Sequence, residues 1–143
     1  MSTSASDNRS PTAALRVFNS EIPVKTPALQ PYRYPDASVV CGKAEFENIE
    51  GIDTLINPTV IVEVLSPATK RRDRNEKRAA YQALPSLKEY LILAQDAPHA
   101  THFSRQGDKW VRSDYSDLNA SIVLESIQCT LTLSEIYAAV QFE

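Results

Sequence analysis

Hydrophobic positions fall in short runs along most of this chain, which predicts a β-rich fold that a few helices interrupt. The longest run, at 59–66, reads Thr-Val-Ile-Val-Glu-Val-Leu-Ser. Continuous β-branched and aliphatic residues are typical of a central strand that is covered on both faces. Shorter strands are predicted at 36–41, 89–94, 99–104, 110–115, 121–124 and 129–131. The polar and acidic segment 43–58 is interpreted as a surface loop.

Two segments carry a helical pattern. The first runs from about residue 70 to residue 84, where Pro85 ends it. The second runs from about Ser134 to Val140, with Glu135 in its first turn. Prolines at 23, 27, 31 and 35 exclude a helix or a central strand there, so an extended edge or loop segment is expected.

Size and composition predict one domain. The chain has 143 residues, of which 43% are hydrophobic and 23% charged, and its formal net charge is −3. The Ser/Thr-rich residues 1–12 are expected to form a disordered tail, and residues 13–143 the single domain. Because neither a signal peptide nor a membrane-spanning run is evident, we expect a cytoplasmic protein without a membrane partner. Cys41 and Cys129 do not form a CxxC pair and are expected to stay free.

Several enzyme classes are excluded by what the chain lacks. Its three glycines, at 42, 51 and 107, cannot build a Walker phosphate loop, a Rossmann fingerprint or a GxSxG nucleophile elbow. His99 and His102 are three positions apart on a predicted strand and therefore face opposite sides, which disfavours a zinc site. Carboxylate and lysine chemistry remains.

Glu63 is the one charged residue in the central apolar run. A buried carboxylate costs several kcal/mol of desolvation unless a cation compensates it. Two interpretations stay open: a metal ion bound by Glu63, or a purely structural ion pair with Lys77 or an arginine.

Asp36 and Lys77 complete a metal-dependent hydrolytic site with Glu63. Two acids on neighbouring strands can share Mg²⁺ or Mn²⁺, and the backbone carbonyl of Val64 can add a ligand. Lys77 would then orient or deprotonate the attacking water. Taken alone, Asp36 is explained as an aspartate in a turn or at the start of a strand after Pro35, a common position for aspartate.

A basic cluster opens the first helix. Six of the fifteen basic residues fall in the nine-residue segment 70–78. Cations at a helix N-terminus oppose the macrodipole, which favours a role in binding anions. We therefore predict phosphate contacts without sequence readout from Lys70, Arg71, Arg72 and Arg74. A plain solvated helix face is the alternative.

The chain also resembles a known family in its motifs. The matching segments are Tyr-Pro-Asp-Ala-Ser-Val-Val at 34–40, Asn-Pro at 57–58, Ile-Val-Glu-Val-Leu-Ser-Pro-Ala-Thr at 61–69, the D-xxx-K-xxx-Y pattern at 73–81, and Glu-Tyr-Leu at 89–91. Together they resemble the Uma family, putative restriction endonucleases within the PD-(D/E)xK nuclease superfamily. The resemblance extends from about residue 16 to residue 140.

This resemblance implies an α/β fold, with a restriction endonuclease-like mixed β-sheet flanked by helices. It implies a Mg²⁺-dependent (or Mn²⁺-dependent) endonuclease that hydrolyses DNA phosphodiester bonds and acts as a homodimer. Asp36 and Glu63 match the two metal-binding acids. Leu65 stands where the superfamily usually has its lysine, and Lys77 on the helix matches the displaced lysine. Supporting positions next to the site are Asp73 and Tyr81.

One departure leaves the function open. Similar proteins usually have a further N-terminal region with an acidic helix and a β-hairpin, so we expect this chain to be truncated there. The alternative to an active nuclease is a catalytically inactive nuclease fold that serves as a nucleic-acid-binding or interaction module. A decaying fragment without a function of its own is a third interpretation.

Overall fold

The computed structural model describes residues 15–27, 32–69 and 71–140. The predicted tail at 1–12 lies outside the described residues, as does Lys70. In chain order, the strands are β1 (Leu15–Asn19), β2 (Val24–Lys25), β3 (Tyr32–Arg33), β4 (Ala37–Cys41), β5 (Phe46–Ile49), β6 (Ile52–Leu55), β7 (Val60–Leu65), β8 (Glu89–Ala94), β9 (Ala100–Gln106), β10 (Lys109–Tyr115), β11 (Ser121–Leu124) and β12 (Cys129–Thr132). The α-helices are α1 (Arg71–Gln82) and α2 (Leu133–Val140), and a 3₁₀ turn spans Glu125–Ile127.

A six-stranded mixed sheet organises the fold, with strand order β1-β4-β7-β8-β9-β10. Strands β7 and β8 are parallel and are joined through α1, whereas the other neighbours are antiparallel. The predicted central strand is confirmed, because β7 lies between β4 and β8 and is buried at almost every position. The strands β11 and β12 form a separate ribbon.

Both faces of the main sheet are covered. On one face, Ile61 and Tyr90 pack against Tyr81 and Leu84 at the end of α1. On the other, residues from β7 and β8 pack against Ile122, Ile127 and Leu133, which belong to the ribbon, the 3₁₀ turn and α2. Side chains on a strand alternate between faces, so Glu63, two residues after Ile61, lies on the α1 face.

The prediction of a surface loop at 43–58 is wrong. This segment forms the hairpin β5–β6, which joins β2 and β3 in a four-stranded sheet of order β3-β2-β6-β5. The hairpin turns at Glu50 and Gly51, which both have positive φ angles of 52° and 85°. Two consecutive residues with positive φ are typical of a tight hairpin turn, and glycine favours this conformation.

The ends of α1 and α2 have identifiable causes. Arg105 on β9 donates hydrogen bonds to the carbonyls of Gln82, Leu84 and Leu87, which satisfies backbone acceptors where α1 ends. At α2, Thr132 and Glu135 form a reciprocal capping box. None of the helices in the described part of the chain is long and apolar enough to cross a membrane.

Candidate active site

Glu63 lies almost entirely inside the protein, with its side chain 3% exposed. Its two carboxylate oxygens have different partners, both from α1. Lys77 Nζ is 3.6 Å from Oε1, and the Tyr81 hydroxyl donates a hydrogen bond of 2.7 Å to Oε2. Because residues four apart on a helix share a face, one helix presents both groups to one carboxylate.

Asp36 approaches Glu63 from the neighbouring strand. It directly precedes β4, and the pairing of Ala37 with Val62 sets the register that brings residue 36 next to residue 63. Asp36 Oδ2 accepts a hydrogen bond of 2.7 Å from the backbone N–H of Val64. The structure thus brings together Asp36, Glu63 and Lys77, the three residues that the sequence predicts as a site.

Burial raises the pKa of Glu63 from 4.5 to about 7. The positive charge of Lys77 and the hydrogen bond from Tyr81 lower this pKa, whereas the nearby Asp36 raises it further. At neutral pH, therefore, the ion pair with Lys77 does not fully compensate the buried charge. A second cation next to Glu63 would compensate this charge.

The donor set suits a hard divalent cation. Mg²⁺ typically uses one or two protein carboxylates and keeps several waters, so Asp36 and Glu63 match what it requires. Within the described residues, no group of three or more His, Cys, Asp or Glu side chains is arranged to hold a metal. A closed, all-protein metal cage is thus absent from this part of the chain.

A cavity of about 470 Å³ is lined by Glu63, whereas Asp36 is not among its lining residues. Its walls come from α1, from the hairpin tip at Glu50 and from the segment Tyr32–Tyr34, here called the strap. The lining residues are Tyr32, Arg33, Tyr34, Glu50, Glu63, Lys77 and Tyr81. A place in the site for the strap and for Glu50 is not predicted from the sequence. The strap's position directly before the Pro35-Asp36 pair is the signal that could have indicated it.

Three of the predicted phosphate-contact residues, Arg71, Arg72 and Arg74, lie in the described part of the chain, and none of the three lines this cavity. Arg71 and Arg72 are exposed, and Arg72 forms an ion pair of 3.3 Å with Glu76 one turn along α1. Arg74 is half-buried and donates to the carbonyls of Ser66 and Thr69, so it fastens the loop before the helix. Their contacts with phosphate remain a prediction.

The two predicted supporting residues differ in placement. Tyr81 is fully buried and bonds directly to Glu63, and burial together with the charge of Glu63 raises its own pKa. Asp73 is exposed in the first turn of α1 and does not line the cavity.

A second buried glutamate lies on the opposite face of the sheet. Glu89 contacts His102 Nε2 at 2.6 Å and accepts hydrogen bonds from both the backbone N–H and the hydroxyl of Ser126. These bonds outweigh the effect of burial and lower the pKa of Glu89. A hydrolytic triad needs the imidazole between serine and carboxylate, whereas here the carboxylate is in the middle. This cluster is therefore a structural network.

Comparison with known proteins gives consistent matches. A family model described as Uma2, putative restriction endonuclease, matches residues 5–135. Uncharacterized protein sll1609 of Synechocystis sp. is 30% identical over 107 residues, covering 74% of this chain and 60% of that protein. Uncharacterized protein slr1290 of the same organism is 28% identical over 127 residues, covering 88% and 65% respectively. The chain thus spans less than two thirds of the length of these relatives.

A solved structure shares the fold. The crystal structure of a putative nuclease belonging to DUF820 from Anabaena variabilis superimposes with a TM-score of 0.61 at 16% sequence identity. The match covers 92% of this chain and 72% of that protein. The predicted fold class, a nuclease-like α/β fold with a mixed sheet and flanking helices, is confirmed by this similarity.

Proposed function

The chain belongs to the Uma2 family of putative restriction endonucleases, and we propose that it is a divalent-metal-dependent endonuclease that hydrolyses DNA phosphodiester bonds. One observation carries this proposal: Asp36 lies beside Glu63 on the neighbouring strand, and Lys77 is 3.6 Å from the Glu63 carboxylate, which lines a cavity. A buried glutamate with an incompletely compensated charge is destabilising unless a cation binds, which is unusual for a purely structural residue.

Asp36 and Glu63 would hold Mg²⁺ or Mn²⁺, together with the backbone carbonyl of Val64. The Val64 N–H bonds to Asp36, and a strand residue directs its N–H and C=O to the same antiparallel neighbour. This supports a Val64 carbonyl on the side of the two acids. When bound, the ion supplies Lewis-acid activation of the phosphate and of a coordinated water.

Lys77 would assist the attacking water. Its side chain is 30% exposed, so the ammonium can reach both Glu63 and a phosphate in the cavity. Held there as a cation, it stabilises the negative charge that develops on the phosphoryl oxygens in the transition state. Tyr81 acts as a positioning residue, since its hydroxyl fixes one carboxylate oxygen of Glu63 at 2.7 Å.

The partners follow from this activity and are likewise proposals. DNA is the substrate, with Arg71 and Arg72 as exposed phosphate contacts on α1 and a cytoplasmic location where DNA is accessible. A homodimer is supported by the edge strand β1, where Val17 is 71% exposed. Analytical ultracentrifugation of wild type beside Val17→Lys would test the dimer, because a charge on that edge opposes strand pairing.

Cleavage of supercoiled plasmid in Mg²⁺ and in Mn²⁺ tests the central proposal. We expect metal-dependent nicking by wild type, loss of nicking in Glu63→Ala and Lys77→Ala, and full activity in Lys109→Ala, a control lysine on the distant edge strand β10. Circular dichroism would verify that each variant is folded. Cleavage that survives in Glu63→Ala would refute the assigned roles. A folded wild type that binds DNA without cutting it would instead support the inactive binding module.

A further inference from the structure

The strap contains an unpaired cationic donor. Arg33 Nε is buried and has no hydrogen-bond partner among the described residues. Its positive charge is close enough to Tyr81 to oppose the rise in the pKa of that hydroxyl, which places it near the Glu63 cavity that it lines. A buried guanidinium N–H without an acceptor is costly, so a shift of the Arg33 side chain towards a phosphate in the cavity would relieve this cost.

Two cations that line the cavity are potential contacts for a phosphate. Arg33 and Lys77 supply two cations, against the carboxylates of Glu50 and Glu63. Glu63 is already bonded to Lys77 and Tyr81, whereas Arg33 Nε is left without a partner. Arginine is well suited to phosphate oxygens because its planar fork of N–H donors matches their geometry.

A tyrosine precedes this arginine in the sequence and another follows it. Tyr32 and Tyr34 pack edge to face with ring centroids 5.8 Å apart, and Tyr34 is 49% exposed. A cationic phosphate contact combined with an accessible aromatic ring is how proteins bind single-stranded nucleic acid, since unpaired bases stack on such rings.

The size of the site points the same way. The Glu63 side chain is 3% exposed and lines a cavity of about 470 Å³, the size of a small-ligand pocket. In an intact duplex the phosphates are held on a stiff rod, and the bases are enclosed in the stack. A flexible single strand can bring one phosphate into such a cavity and turn one base towards Tyr34.

We propose that the strap Tyr32–Tyr34 recognises unpaired DNA, with Arg33 binding a phosphate and Tyr34 stacking on a base. The site therefore binds single-stranded DNA, or a frayed or looped strand, in preference to intact duplex. This inference rests on the proposed function, because it assigns a substrate form to the same cavity.

Fluorescence anisotropy in EDTA tests the inference without any cleavage. A labelled 15-nucleotide single strand and its blunt duplex would be titrated with wild type, Arg33→Gln, Tyr34→Ala and Tyr34→Phe. We expect wild type to bind the single strand about tenfold more tightly than the duplex, a ratio within reach of one stacked base. Arg33→Gln and Tyr34→Ala should each weaken single-strand binding about tenfold, whereas Tyr34→Phe should retain it.

Arg112→Gln is the matched control, since Arg112 is exposed on β10 and pairs with Asp114 instead of lining the cavity. Duplex binding as tight as single-strand binding, unchanged affinity in both strap variants, or no binding by folded wild type would each overturn the inference. Because the titration contains no metal, its outcome is separate from plasmid cleavage. Plasmid nicking together with preferential binding of duplex would support the nuclease activity and refute the role of the strap. Preferential binding of the single strand without plasmid nicking would support the role of the strap and refute the nuclease activity.

Discussion

Two buried glutamates on opposite faces of the central sheet should respond in opposite ways to the same substitution. Glu63 and Glu89 are each 2% exposed. Burial raises the pKa of Glu63 to about 7, whereas hydrogen bonds from His102 and Ser126 outweigh burial at Glu89 and lower its pKa. Replacing each with glutamine removes the charge and keeps the shape. We expect Glu63→Gln to stabilise the protein at pH 8 and Glu89→Gln to destabilise it.

The size of the expected stability change at Glu63 follows from its pKa shift. The pKa rises from 4.5 to about 7, so between these values the folded state binds more protons than the unfolded state, and the free energy of unfolding falls as pH rises. One pKa unit corresponds to about 1.4 kcal/mol, which gives a loss of about 3 kcal/mol above pH 7. Glu63→Gln should recover about this amount at pH 8 and none below pH 4.5. Glutamine can still accept the hydrogen bond from Tyr81.

At Glu89 the contribution to stability depends on pH in the opposite direction. A lowered pKa in the folded state contributes stability that is present above the unfolded pKa and is lost as pH falls through the folded pKa. Glu89→Gln removes charge-assisted hydrogen bonds and leaves His102 and Ser126 with a poorer acceptor. We expect a loss of about 1–3 kcal/mol at pH 8.

Urea unfolding followed by circular dichroism, at several values between pH 4.5 and pH 8.5 in EDTA, measures both effects. The stability gap between Glu63→Gln and wild type should close as the pH falls. Adding Mg²⁺ at pH 8 should stabilise wild type and leave Glu63→Gln unchanged, because the bound cation replaces the missing compensation. A Glu63→Gln variant no more stable than wild type at pH 8, or a gap independent of pH, would refute the assignment of an incompletely compensated charge.

Three further substitutions test neighbouring contacts. Tyr81→Phe removes the hydrogen bond that lowers the pKa of Glu63, so the fall in stability with rising pH should extend to higher pH than in wild type, measured by the same urea series. Arg105→Ala should lower the free energy of unfolding by about 2–3 kcal/mol, because three carbonyls at the end of α1 lose their donor; exposed Arg112→Ala should change it little, and equal effects would contradict this role. Thr132→Ala should cost about 1 kcal/mol by removing the α2 capping box, and an unchanged thermal midpoint would argue against that cap.

The central strand and the pair of acids were predictable from sequence because burial leaves a clear signal. A continuous run of β-branched residues predicts β7, and a lone glutamate within it requires a partner. Asp36 could be linked to Glu63 because a short apolar strand follows it, and strands close in sequence commonly pair. Lys77 and Tyr81 are four positions apart in the predicted helix, a spacing that places two side chains on one face.

The hairpin β5–β6 was missed because its residues lie largely at the surface. Phe46, Glu47 and Asn48 are exposed, and only Thr54 and Leu55 at its far end are buried. The composition of this segment therefore resembles that of a loop. The signal that could have indicated a hairpin is the Glu50-Gly51 turn. The error matters for function, because the turn carries Glu50 into the cavity wall.

The Glu89 network could not be predicted, since its members are distant in sequence. His102 is 13 residues from Glu89, and Ser126 is 37 residues away on the 3₁₀ turn. Nothing local in the sequence distinguishes this glutamate from a surface residue that starts a strand. Only the assembled sheet, with β8 beside β9 and the 3₁₀ turn above them, brings the three groups together.

The basic cluster on α1 shows how helical geometry divides a patch that looks uniform in sequence. Arg71 and Arg72 line a shallow outer cavity with Glu76, whereas Lys77 turns inward to Glu63. Each residue advances about 100° around a helix, so cations that are neighbours in sequence serve different surfaces. If the proposals hold, outer-face substitutions should reduce the salt dependence of DNA binding without changing the pH dependence of stability, and Lys77 substitutions should change both. Two separable readouts would show that one helix performs two electrostatic tasks.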